Sequence, residues 1–141
     1  MRITGLPVPL SEGVAGVPTV ADRPQGFPCR RCLTDAEPGE VLLLLRYDPW
    51  TVESPYRQPG PVFVHERPCA TAVVATVPDQ QRRRLLSLRG FDGAGFPTVA
   101  EVLPGSEAEG RLAEVLRDDR TAFVHLHNAG PGCFAARVER A

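Results

Sequence analysis

Hydrophobic positions along this chain come in short bursts separated by turn-forming residues. Glu40–Tyr47 is a leucine-rich run framed by Pro38-Gly39 and Pro49, which has the length and punctuation of a buried strand. Val62–Glu66 places Val62, Val64 and Glu66 on one face and Phe63 and His65 on the other, because strand side chains alternate with period two. Further strands are predicted at Thr71–Val77, at Leu85–Phe91 before the glycines at 93 and 95, and at Val99–Leu103. Short strand pieces are expected around Ile3–Leu6 and Val17–Val20. The segment Asp48–Pro61 carries four prolines and reads as an ordered surface loop.

Two helices interrupt this pattern. Pro78 opens a short polar one, Asp79–Arg83. The other, expected over about 106–118, repeats Ala108, Leu112, Val115 and Leu116 on one face. Ser106-Glu107-Ala108-Glu109 matches a capping box for its start. Thr121–Asn128 and Cys133–Glu139 then alternate around Ala129-Gly130-Pro131-Gly132 as a C-terminal β-hairpin. Pairing its apolar residues sets Leu126 opposite Phe134, Val124 opposite Ala136 and Ala122 opposite Val138. His127 then faces Cys133, His125 faces Ala135, and Phe123 faces Arg137 on the other, wetter side. The fold class is α+β, mostly antiparallel sheet with one well-capped helix and the terminal hairpin.

At 141 residues the chain is expected to form a single domain, 1–141. A Pro/Gly-rich extended segment over residues 1–27 precedes a core over 28–140. Net charge is -1, so no broad field draws it to nucleic acid or an anionic membrane, and a small-molecule ligand or protein partner is left open. Every basic side chain is arginine and none is lysine, the signature of a GC-rich bacterial genome. Met1–Leu10 lacks the basic and apolar stretches of a secretory signal, and the aliphatic run Val41–Leu45 is far too short for a bilayer. The expected setting is the cytoplasm. Thiols stay reduced there, so the four cysteines point to metal or thiol chemistry before disulfides.

Cys29-Arg30-Arg31-Cys32 could hold one edge of a tetrahedral zinc ion. Dithiol redox chemistry would need this motif at a helix N-terminus, whereas Leu33–Gly39 reads as a turn into a strand. The C-x-x-C is therefore expected at a loop or strand end. His65 and Cys69 offer further ligands, and His125, His127 and Cys133 share one hairpin face. Cys29 and Cys32 are expected to approach at least two of His65, Cys69, His125 and Cys133, with ligand atoms about 4 Å apart. Arg30 and Arg31 could stabilise a thiolate or be solvated, and Arg82-Arg83-Arg84 reads as a solvated helix face. Common nucleotide, zinc-protease and serine-hydrolase motifs are absent from the sequence.

A series of motifs in order resembles the bacterial family called domain of unknown function 1203, over residues 28–140. They are Pro28-Cys29-Arg30-Arg31-Cys32-Leu33, Pro38-Gly39-Glu40, Ser54-Pro55-Tyr56 and Gly60-Pro61-Val62-Phe63-Val64-His65 with Cys69. Leu88-Arg89-Gly90-Phe91, Phe123-Val124-His125, Gly132-Cys133-Phe134 and Arg137-Val138-Glu139-Arg140 complete the series. The resemblance implies no activity. It places Cys29, Cys32, His65, Cys69, His125 and Cys133 at family motif positions, while at His127 the family pattern has arginine.

Three functions follow as expectations. The first is a zinc-type metal-binding protein, with an enzymatic role if water takes one coordination position. The second is a thiol-dependent enzyme with Cys133 or Cys29 as nucleophile and His125 or His65 as base. The third is a non-catalytic accessory protein with Trp50 and Tyr56 as exposed anchors.

Overall fold

In the computed structural model, residues 1–10 and 15–141 are described. Among the described residues nine strands appear in chain order: β1 Arg2–Thr4, β2 Val17–Val20, β3 Val41–Tyr47, β4 Gly60–His65, β5 Val73–Val74, β6 Leu85–Phe91, β7 Pro97–Pro104, β8 Phe123–Asn128 and β9 Phe134–Glu139. Two short helices, α1 Asp79–Arg82 and α2 Ala108–Val115, lie between them. The expected α+β class, dominated by antiparallel sheet and ending in a hairpin, is therefore observed. A six-stranded sheet has the order β5-β1-β9-β8-β6-β7, and β2-β3-β4 form a smaller one.

The terminal hairpin lies at the centre of the large sheet, not at its wet edge. All six residues of β8 are buried, because β9 flanks them on one side and β6 on the other. Val124, Leu126, Ala136 and Val138 share a core with Ile3, Leu86, Leu88 and the α2 residues Leu112 and Val115. That apolar face was legible in the alternation of β8. The pairing across it was not: Val124 lies opposite Val138 and Leu126 opposite Ala136, two residues from the expected register. A bulge at Ala135 then brings Phe134 opposite His127. The extra residue reverses the alternation, so Phe134 joins the histidine face instead of the Leu126 face. Cys133 lies just before β9, in the turn.

The capping box does not form. Gly105–Glu107 is a 3-10 turn, Glu107 occupies the cap position without a side-chain bond, and the helix proper is only Ala108–Val115. Glu109 is diverted, accepting from the Val77 amide at 3.1 Å and from Arg82 at 2.7 Å. A tertiary partner offers this carboxylate an amide and a charge together, more than the local cap amide does. Gly105 makes the approach to α1 feasible, since a Cβ there would sit 1.9 Å from the Gln81 carbonyl oxygen. Arg82 and Arg83 of the arginine run are exposed, as expected of a solvated face, but the run is also ion-paired: half-buried Arg84 and Arg83 reach Asp35 at 2.7 and 3.1 Å.

Trp50 is not an exposed anchor. It is 7% exposed and packs edge-on against Phe91, Phe123 and His125, closing the second face of the large sheet. Tyr56 stays exposed, as expected. No described helix is long and apolar enough to cross a membrane.

Candidate metal centre

The Cys29–Cys32 segment is a turn wedged between β1 and β4, and it is not helical. The Leu6 amide donates to the Arg30 carbonyl, the Arg30 amide to the Phe63 carbonyl, and the Ala72 amide to the Arg31 carbonyl, each at 2.8 Å. Leu33, at φ 57°, takes a left-handed conformation that closes the turn, and its side chain is buried in the main core. The loop after β1 comes so near that a Cβ on Gly5 would lie 2.1 Å from the Arg31 carbonyl oxygen. Gly5→Ala must therefore push the two backbones apart. It is expected to cost roughly 2–3 kcal/mol, because neither backbone can yield as a flexible side chain would. Denaturant unfolding checks this, and a loss under about 0.5 kcal/mol would mean the contact relaxes freely.

Around this turn the donor atoms of Cys29, Cys32, His65 and Cys69 all lie within 4.8 Å of one another. Cys29 Sγ is 3.9 Å from Cys69 Sγ, and Cys32 Sγ is 3.4 Å from His65 Nδ1. Tetrahedral bonds of 2.3 Å to sulfur and 2.0–2.1 Å to nitrogen imply about 3.8 Å between sulfurs and about 3.5 Å from sulfur to nitrogen. These two pairs already match, and the widest pair needs to close by about 1 Å. The cluster is close enough to hold a metal, somewhat looser than the 4 Å spread expected.

Its surroundings favour anionic sulfur and an oriented imidazole. The His65 amide points at Cys29 Sγ at 3.3 Å, and Thr34 Oγ1 lies 3.0 Å from Cys32 Sγ. Hydrogen bonding from Cys29, with Thr34 and His65 adding, brings the Cys32 thiol down to about 4, while the same shared bond and burial push Cys29 up. Behind the imidazole, Glu40 Oε2 lies 3.5 Å from His65 Nε2, an ion-pair distance without hydrogen-bond alignment. Arg67 holds that carboxyl ionised, down to about 2. A carboxylate behind a ligating histidine fixes its tautomer and direction. Nothing local in the sequence aims Glu40 at His65: only the pairing of Leu42 with His65 brings the start of β3 beside the end of β4.

The other sequence candidates lie apart from this cluster. Cys133 Sγ receives Arg30 Nη2 at 2.9 Å and faces Asn128 Nδ2 at 3.8 Å, with no histidine bonded to it among the described residues. The proposed pairing of Cys133 with His125 as base is therefore not assembled. Cys29 accepts from the backbone of His65, and among the described residues no hydrogen bond joins its sulfur to the His65 ring, which lies within 4.8 Å of it. Arg30 is neither solvated nor aimed at the C-x-x-C sulfurs. It is 2% exposed and crosses to the hairpin, where Nε donates to the Phe134 carbonyl at 2.8 Å.

His125 sits fully buried between Arg89 and Arg137 on neighbouring strands, among Trp50, Phe91, Phe123 and Phe134. Burial first, then Arg137, brings it down to about 3; burial likewise brings His127 down to about 4. Both rings are neutral in the folded protein, whereas the unfolded chain takes up these protons near pH 6.5. The unfolded state thus binds more protons below that value, and stability falls as pH drops through it toward 4 and 3. About 2–4 kcal/mol should be lost between pH 7 and 5. His125→Phe should remove roughly half of that slope in paired denaturation curves, the proton dependence of every other group cancelling in the difference. An identical slope in the variant would refute this assignment.

A family model described as "Protein of unknown function (DUF1203)" matches residues 26–140. No curated protein and no solved structure matches the chain.

Proposed function

The chain belongs to the DUF1203 family, whose function is unknown, and we propose that this protein carries a structural zinc-type centre held by Cys29, Cys32, His65 and Cys69. The observation that supports this reading is the convergence of four donor atoms from three separate segments within 4.8 Å. Three sulfurs and one imidazole suit zinc, and four protein ligands leave no open position for water, so the role is to hold structure. Such an ion cross-links the Cys29–Cys32 turn, the end of β4 and the segment at Cys69. A cytoplasmic setting, where the thiols stay reduced, agrees with the four free cysteines. Metal analysis of protein purified without chelator is the direct test: stoichiometric zinc supports the centre, and a content well under stoichiometric of any transition metal removes it.

One observation favours a second reading, a thiol-dependent enzyme. Cys32 is half-buried, its thiol is brought down to about 4, and it lies 3.4 Å from the His65 ring. A metal-free protein in which Cys32 alone alkylates fast would support that reading over the metal centre.

A further inference from the structure

On the second face of the large sheet, away from the cysteine cluster, a cavity of about 250 Å³ opens beside Trp50 and His127. Its polar wall is Gln58, from the proline-rich loop, and one cross-strand group. Ser87 and His127 are directly paired on β6 and β8, and Arg89 lies two residues further along β6 on the same face.

The hydrogen-bonding capacity of these three side chains is only partly used. Arg89 is half-buried, yet its one side-chain bond among the described residues runs from Nε to Ser87 Oγ at 3.0 Å. Among the described residues no carboxylate pairs with its two terminal nitrogens, whereas the arginines at 84, 111 and 137 each have one. His127 Nδ1 lies 2.9 Å from the Gly132 carbonyl oxygen, which can only accept. The ring proton is therefore on Nδ1, and Nε2 presents a lone pair. Ser87 Oγ accepts from Arg89, so its own proton is available to give. Trp50, Phe91 and Val99 supply flat and apolar walls, and Tyr56 stands at the same cavity half exposed.

From this geometry we infer that the cavity binds a small aromatic monocarboxylate, its carboxylate on Arg89 and its ring against Trp50. A guanidinium with two free nitrogens matches a carboxylate in a planar, two-bond arrangement. The cavity is smaller than the usual ligand site, which excludes a nucleotide. Phosphate is disfavoured because only one cation lines the cavity and the neighbouring His127 nitrogen is an acceptor, which repels a second anionic oxygen. That same lone pair favours a ligand carrying a hydroxyl donor on its ring.

Trp50 is the chain's single tryptophan and lines this cavity, so its fluorescence reports on binding there. Benzoate, 4-hydroxybenzoate, benzamide and inorganic phosphate are each titrated into the intact, metal-replete protein, with calorimetry as a second readout. Saturable binding of both acids at millimolar concentration or tighter is expected, tighter for 4-hydroxybenzoate than for benzoate. Benzamide and phosphate should each bind at least about tenfold more weakly, a gap of about 1.4 kcal/mol. Arg89→Met keeps the apolar stem and should lose at least about tenfold for both acids. Ala100→Phe, on an exposed position of edge strand β7 that borders the cavity, should block binding without touching the core. Circular dichroism and an unchanged unfolding midpoint confirm that each variant is folded. Equal binding of benzoate and benzamide, equal or stronger binding of phosphate, undiminished binding by folded Arg89→Met, or no saturable binding of either acid overturns the inference.

Discussion

Cys32→Ser, purified without chelator, is expected to lose its zinc and roughly 3–5 kcal/mol of stability relative to the wild type. The estimate is bounded from above by the 10–16 kcal/mol that zinc contributes to peptides with no other core. Here the large sheet has its own core of Leu86, Leu88, Leu126, Val138 and their neighbours, so the ion need not carry the whole fold. A bound ion would act on the layer formed by β3, β4 and the turn, where Cys29, Val62 and Val64 pack with Phe134 of the hairpin. Removing one thiolate loosens that layer from three directions. Cys69→Ser should behave alike, because its sulfur is 3.9 Å from Cys29 and its segment reaches the cluster independently of the C-x-x-C turn. Cys133→Ser is the control: it removes a sulfur whose hydrogen-bond partners among the described residues are Arg30 and Asn128, neither a ligand of the cluster, so zinc should stay stoichiometric and the cost near 1 kcal/mol. If the wild type is metal-poor and Cys32→Ser is as stable as the parent, the centre does not exist.

Arg30→Ala should cost about 3–5 kcal/mol while leaving zinc bound. Arg30 carries the largest of the fully buried side chains, and its guanidinium donates at 2.8 Å to the Phe134 carbonyl and at 2.8 Å to the Pro28 carbonyl. Its third bond, 2.9 Å long, goes to Cys133 Sγ. Truncation strands two buried carbonyls, each worth about 1–3 kcal/mol when unpaired, and empties the volume of a long side chain. The ligands themselves are positioned by backbone bonds to Leu6, Phe63 and Ala72, which the substitution leaves in place. Arg30→Lys should recover little, because an ammonium cannot reproduce the planar fork that reaches three acceptors at once. Unfolding in denaturant with parallel metal analysis separates the two effects. A loss below about 1 kcal/mol would show that water replaces the guanidinium without penalty.

Local pattern determined a good deal of this protein. Period-two alternation in β8 fixed which residues face the core, and turn formers framed β3, β6 and the C-x-x-C segment, because these features depend on neighbours within a few residues. That Cys29, Cys32, His65 and Cys69 are residue types able to ligate a metal was also legible, since thiols and an imidazole are the donors zinc takes. What failed was whatever depends on the partner strand. Pairing apolar with apolar residues did not reveal the bulge at Ala135, which alone decides that Phe134 covers His125 and not Leu126. Ser106 and Glu109 carry a local cap signal, but Val77 and Arg82 offer Glu109 a stronger bond that no window of sequence contains. Arg30 reads as a surface charge until the hairpin turn supplies it with buried acceptors 103 and 104 residues away. Which four of the six candidate ligands meet was likewise a tertiary decision. The bridge between Cys29 and Phe63 and the register of β3 on β4 bring His65 to the turn, while burial between β6 and β9 carries His125 away from it. Residue type and short-range spacing set what each segment can do, and long-range hydrogen bonding and packing set which segments do it together.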